Sequence, residues 1–270
     1  TAQGQVERAR QAYEKAAALD GSTPRVHTFL GNLDLLEDRP AQARARFEKA
    51  LAVAPPGNAP VGAYYSVALS YLYEGQPDPA LRTFDTLLAE YRKNNQNAAF
   101  PEVFIWNSMA RVNLENGRPE KALEAYQKGF ESVPGSSLDE QQKQIWLGRL
   151  HHGKARTLAR LGRQEEAWKE AEVVRTMIEK GAKDGEQFKP AYQYLAGYLK
   201  LEAGDVPAAV EHLKQADGTD DFHRLLLARA YERAGDKPAA QKLYKEIVAS
   251  RAPTLERALA YPEARRKLAS

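Results

Sequence analysis

One small signature constrains this chain more than anything else in it: a glycine followed five residues later by an alanine. It occurs at Gly4/Ala9, Gly75/Ala80, Gly117/Ala122, Gly162/Ala167, Gly204/Ala209 and Gly235/Ala240, and a seventh copy, Asp38/Ala43, lacks only the glycine. Successive copies lie 34, 37, 42, 45, 42 and 31 residues apart. A unit of that size cannot bury an apolar face alone, so self-similarity at this period means a solenoid whose units stack on one another. A stacked array grows without splitting, so the 270 residues are expected to form one domain, 1–270.

Each signature falls at the turn between two amphipathic helices. In the unit 24–57, Val26, Phe29, Leu30, Leu33 and Leu36 recur at helical spacing. Pro40 then opens a second helix, where its missing N–H is harmless, and Pro55 and Pro56 close it. Pro77, Pro119, Pro207 and Pro238 stand at the same second-helix start in other units. Seven residues before the glycine position lies a small residue: Gly31, Ala68, Ala110, Ala155, Gly197 and Ala228. Small residues there and at the Ala43-type position let paired helices approach closely, and Tyr13, Phe47, Phe84, Tyr126 and Tyr244 fill the remaining core.

These residues resemble the tetratricopeptide repeat. The unit 24–57 matches through Leu30-Gly31, Ala43, Phe47, Ala50 and Pro55, and the next through Tyr64, Ala68, Tyr71, Gly75, Ala80 and Phe84. The third matches through Trp106, Ala110, Gly117, Ala122, Tyr126 and Pro134, and the last through Ala228, Tyr231, Gly235, Ala240 and Tyr244. Two units are weaker, with Ala171 and Leu213 at the aromatic position. The resemblance implies an all-α, right-handed α-solenoid of antiparallel helix pairs. Its parts would be a half repeat at 1–23, six repeats at 24–57, 61–94, 103–136, 148–181, 190–220 and 221–253, and a cap at 254–270.

Gly4 is expected in an inter-helix turn, and the chain is on that reading expected to be part of a longer protein. The cap should be a helix interrupted near Pro262. Two joins are longer than the others. The segment 92–101 is polar and turn-like, and Ser137 to Glu140 has the form of a capping box opening a helix that runs to about Leu161. These insertions either deepen a pocket or are turns with no binding role.

Composition narrows function by exclusion. A net charge of +3 is too small for a general nucleic-acid surface, no apolar run approaches the ~18 residues of a membrane span, and zero cysteines exclude thiolate chemistry and disulfides. The compartment stays open between bacterial cytoplasm and periplasm. The histidines, His27, His151, His152, His212 and His223, offer no metal spacing, and no nucleophile elbow or phosphate loop is present. Carboxylates such as Glu166 and Glu170 read as a solvated helix face. No catalytic residue, cofactor or metal is expected, and no enzyme activity.

First helices line the concave face of such arrays. By resemblance, the groove residues are Arg25, Thr28, Asn32, Tyr65, Leu69, Phe104, Asn107, Arg111, Arg149, His152, Arg156, Tyr194, Tyr198 and Arg229, with Leu225 at a further equivalent place. Arginines, tyrosines and asparagines without a carboxylate suit a peptide or protein partner carrying acidic residues or a free C-terminus. The alternative is that Glu115, Glu202 or Glu232 neutralise these arginines. The family's chaperone-binding carboxylate clamp is matched only at Asn32. The expected function is a non-catalytic scaffold. The second reading is a regulatory or sensor segment of a larger enzyme or receptor whose catalytic domain precedes residue 1.

Overall fold

The turn glycines explain why the helices pair. Gly75, Gly117, Gly162, Gly204 and Gly235 have φ between 70° and 84°, just past the end of a helix, where a residue without Cβ closes the last turn. Asp38, at the copy without a glycine, adopts φ 59° all the same. A left-handed residue other than glycine costs about 1–2 kcal/mol, less for aspartate. An Asp38→Gly variant should therefore be more stable than Asp38→Ala by about 1 kcal/mol, read from paired urea unfolding curves. Equal midpoints would show that the turn does not hold this conformation in solution.

The computed structural model describes residues 2–55, 61–93, 101–181 and 185–269. The described residues form fourteen α-helices and no strand. The first is α1 (Ala2–Leu19), followed by the pairs α2 (Pro24–Leu36) with α3 (Pro40–Ala52) and α4 (Val61–Tyr73) with α5 (Pro77–Lys93). Next come α6 (Glu102–Glu115) with α7 (Pro119–Glu131) and α8 (Glu140–Arg160) with α9 (Gln164–Lys180). The last pairs are α10 (Gly185–Glu202) with α11 (Val206–Leu213) and α12 (Asp221–Arg233) with α13 (Lys237–Ala249), before α14 (Leu255–Ala269). Residues cluster into two compact units, 1–102 with 251–258, and 103–250 with 259–270.

The small positions sit where the pattern requires them. Ala43, Ala80, Ala122, Ala167 and Ala209 have no exposed surface, and neither do Ala68, Ala110, Ala155 and Ala228. Gly31 lies flat against the Phe47 ring, where an added Cβ would fall 2.4 Å from a ring carbon. Gly153 meets Tyr126 in the same way at 2.5 Å, and Gly197 meets Leu213 at 2.5 Å. In the first unit, Leu30, Phe47, Ala50, Phe84 and Leu87 are fully buried. In the second, Leu158, Val174, Leu195, Leu199, Leu226, Tyr244 and Ile247 form one continuous core with Ala260 and Ala264 of α14.

Four local expectations are corrected. Gly4 lies inside α1, not in a turn; a glycine cap needs a preceding helix, and among the described residues none precedes Ala2. The capping box of α8 uses Asp139 and Gln142, two residues later than Ser137 and Glu140, because the Asp139 side chain accepts from the Gln142 N–H while Gln142 answers at the Asp139 N–H. Pro262 does not interrupt α14: its helix continues, with buried Tyr261 and Ala264 anchoring both sides of the missing N–H. Glu170 is not on a solvated face, since it holds His151 at 2.5 Å and also Lys154. Of the join 92–101, residues 94–100 lie outside the described residues.

Candidate functional site

Spacing of four along a helix puts residues on one face, one turn apart. The first helices of the second unit use it to align polar side chains: Asn107, Arg111 and Glu115 on α6, His152, Arg156 and Arg160 on α8, Tyr194 and Tyr198 on α10, and Arg229 on α12, one turn after the buried Leu225. These faces meet in a network. Arg156 donates from its two Nη groups to the hydroxyls of Tyr194 and Tyr126, each at 2.9 Å. One turn on, Arg160 donates through Nε to the Tyr198 hydroxyl at 2.8 Å and pairs with Glu202 at 3.1 Å and Glu115 at 3.5 Å. Arg229 holds Glu263 of α14 with two bonds of 3.0 and 2.6 Å and reaches Glu115 at 3.7 Å.

Rings complete the arrangement. Tyr194 is stacked between His152, with centroids 5.1 Å apart, and His223, at 4.1 Å. The Arg111 guanidinium lies 5.6 Å over the Phe222 ring. Arg149 is exposed, 4.5 Å over Trp146, and Phe104 meets Trp146 edge to face.

Burial sets the electrostatics. Arg156 is 5% exposed and Tyr198 is fully buried. Burial works against the Arg156 charge, yet the oxygens of Tyr126 and Tyr194 leave its pKa displaced upward, so the guanidinium stays protonated. Burial pushes the Tyr194 phenol up to about 12, against the pull of Arg156 and Arg111. Burial, then the Arg156 charge, drives His152 well below the ordinary histidine value, and burial lowers His223 although Asp220 opposes it. Both rings are therefore neutral near pH 7. Burial would raise the Glu263 carboxyl, but its bonds to Arg229 hold it below the usual range.

The anticipated residues divide by unit. Arg111, His152, Arg156, Tyr194, Tyr198 and Arg229 are brought together, Phe104 and Arg149 share Trp146, and Asn107 is half-buried on α6. Arg25, Thr28, Asn32, Tyr65 and Leu69 belong to the first unit. There Arg25 lies over Phe29, Thr28 donates to its own helix at Pro24, Tyr65 packs on Phe84, Leu69 is core, and Asn32 is half-buried. Of the anticipated arginines, Arg229 is paired chiefly with Glu263 and more distantly with Glu115, while Glu202 takes Arg160 and Glu232 takes Lys267.

Arg160, Glu115 (expected only as a carboxylate neutralising the arginines), His223, Tyr126 and Glu263 complete the network. The first two follow Arg156 and Arg111 by one turn and were legible from spacing; Glu263 carries no local signal. Among the described residues no three potential ligands gather as a metal site, and no helix is long and apolar enough to cross a membrane. His27 bonds the Gly21 carbonyl and His212 bonds Gln193.

Helix pairs closed by a left-handed residue, with a small residue seven positions before it, define a helical repeat protein. Residues 65–137 and 194–254 match one tetratricopeptide repeat model, and residues 24–49 and 148–167 match another. The chain belongs to the tetratricopeptide repeat family, a fold of protein–protein interaction scaffolds. No curated protein matches the sequence. Among solved structures it is similar to a tetratricopeptide repeat protein from Parabacteroides merdae, with a TM-score of 0.62 at 14% identity over 97% of this chain and 94% of that one. The apo form of RapI gives 0.61 at 14% identity over 96% and 81%. The APC/C hetero-tetramer Cut9-Hcn1 gives 0.54 at 14% over 97% of this chain, which spans 46% of that chain's length. At this identity the likeness is one of fold.

Proposed function

We propose that the protein is a non-catalytic scaffold whose first-helix face in the second unit binds a partner segment bearing a carboxylate, from an acidic residue or a free C-terminus. The supporting observation is the uneven supply of carboxylates to the arginines. Arg160 and Arg229 are each ion-paired, whereas Arg156, more deeply buried than either, is met by phenol oxygens alone. Its Nε is buried without a partner. A carboxylate is the group a buried guanidinium accepts best, because the bonds are charge-assisted and the fork is planar. Tyrosines beside it supply contact area at small entropic cost.

A pool of acidic peptides with free C-termini, followed by fluorescence anisotropy, tests this. It should bind the native chain and lose at least tenfold in affinity to Arg111→Glu, in line with about 2 kcal/mol for a desolvated anchor. The same pool amidated and with its acids changed to glutamine or asparagine should bind far more weakly. Equal binding of both pools to a helical native chain would refute the reading.

A further inference from the structure

Burial disfavours the charged form of an imidazole and a nearby carboxylate favours it, so the groups facing a histidine decide how readily it takes a proton. In the second unit two imidazoles enclose one phenol. His152 of α8 and His223 of α12 stack on the Tyr194 ring of α10 with interplanar angles of 22° and 25°. The Tyr194 hydroxyl accepts from Arg156, which ties the three rings and the guanidinium into one block.

Each imidazole has one nitrogen committed. Nε2 of His152 faces the Ala191 carbonyl at 3.3 Å, and Nδ1 of His223 faces the Asp217 carbonyl at 3.3 Å. A carbonyl only accepts, so these nitrogens carry the hydrogen in the neutral rings. An added proton therefore goes to Nδ1 of His152 and to Nε2 of His223. The charges around the two rings differ. His152 meets Arg156 from its own helix, Arg111 from α6 and His223 from α12, and the principal charges facing it are positive. Among the described residues no carboxylate bonds its ring. His223 meets Arg111 and two carboxylates that precede its own helix, Asp220 and Asp217. Both carboxylates are engaged elsewhere. Asp220 accepts from the N–H groups of Phe222 and His223 at 2.8 and 3.1 Å and stands 3.9 Å from Nε2. Asp217 accepts from the N–H and hydroxyl of Thr219 at 2.8 and 2.7 Å.

Given the carboxylate reading of this face, on which the inference rests, we propose that binding there is coupled to protons. As a partner's carboxylate settles beside Arg111 and Arg156, His152 and His223 take up protons, and the segment is held more tightly as the pH falls. The carboxylate offsets the two guanidiniums that oppose protonation and supplies the negative charge that His152 does not receive from the chain. Coupling of this kind is reciprocal: the factor by which the carboxylate strengthens proton binding is the factor by which the proton strengthens carboxylate binding. Tyr194, which touches both rings and Arg156, joins the two events in one place.

The probe is the acidic peptide pool, free of histidine and labelled with a rhodamine that does not titrate in this range, followed by anisotropy on the full chain at pH 7.5, 6.5 and 5.5. Binding should tighten by about fivefold or more from pH 7.5 to 5.5. Peptide carboxylates titrate near about pH 4, so their own protonation weakens binding in this window and does not mimic the result. Imidazole proton resonances of the native chain, assigned with His152→Gln and His223→Gln, locate the sites. The titration midpoints of His152 and His223 should move up when the pool saturates the chain, and those of His27, His151 and His212 should stay in place. Equal or weaker binding at pH 5.5 would overturn the coupling and leave the carboxylate reading standing. Tighter binding with both midpoints unmoved would do the same. Absence of binding at all three pH values would overturn the two together.

Discussion

Phe47→Ala is expected to destabilise the first unit by about 3–5 kcal/mol, measured by urea unfolding at neutral pH. The ring has no exposed surface, so its truncation removes a full side chain of apolar burial and leaves a cavity that two rigid helices close poorly. The position also allows a sharper test than a single loss. Gly31 touches the ring so closely that an added methyl would overlap it. Gly31→Ala alone should cost about 1–3 kcal/mol by overpacking, partly offset by the better helix propensity of alanine. Once Phe47 is alanine, the same methyl enters the cavity and its effect should turn neutral or favourable. The double variant is then expected to be more stable than the sum of the two singles by about 1–3 kcal/mol, the coupling typical of contacting residues. Strict additivity would mean that the two helices do not meet at this pair.

That pair shows why so much of the architecture was readable in the sequence. A helix pair needs a residue that can close the turn, a small residue at the crossing and a large one to fill the gap. All three requirements act within about 16 residues, so they leave a local, repeating trace. Asp38 is instructive here, since the turn kept its left-handed geometry after losing the glycine, and the positions of Ala43 and Phe47 alone carried the register. Where the signature misled, at Gly4, the motif lies inside a helix and not at a turn after one.

The candidate site was legible to a lesser degree, for a physical reason. Spacing shows which residues share a helix face, and it placed Arg111, Arg156, Tyr194 and Tyr198 together. It does not show how far two faces close on one another. Tyr198 is therefore sealed from solvent, although the repeat pattern alone treats it as one more groove residue. The Arg229–Glu263 pair and the Arg251–Leu36 contact join residues 34 and 215 positions apart, and no periodicity encodes such pairings.

The stacked rings of the second unit predict a pH dependence with a definite sign. His152 and His223 are both held below the ordinary histidine value of about 6.5, chiefly by burial. The groups facing them are the Arg111 and Arg156 guanidiniums, which disfavour protonation, and Asp220 and the carbonyls of Ala191 and Asp217, which favour it. The Tyr194 ring between them carries no charge in this range, since its phenol titrates near 12. The unfolded chain then takes up protons at about pH 6.5 while the folded chain does not. Stability contributed by the neutral rings is full above pH 6.5 and is lost as the pH falls toward their folded values. Each ring can contribute at most about 1.4 kcal/mol per pH unit, so the pair sets a limiting slope of about 3 kcal/mol per unit. Carboxylates held low by their partners, Glu263 among them, titrate in a more acidic window and do not obscure it. Urea midpoints at pH 7.5, 6.5 and 5.5 should fall steeply below 6.5 for the native chain. For His152→Gln/His223→Gln the curve over the same window should be much flatter. Matching slopes for the two proteins would place the titrating groups elsewhere, whereas a flattened slope would locate the acid sensitivity of this solenoid in the rings that stack on Tyr194.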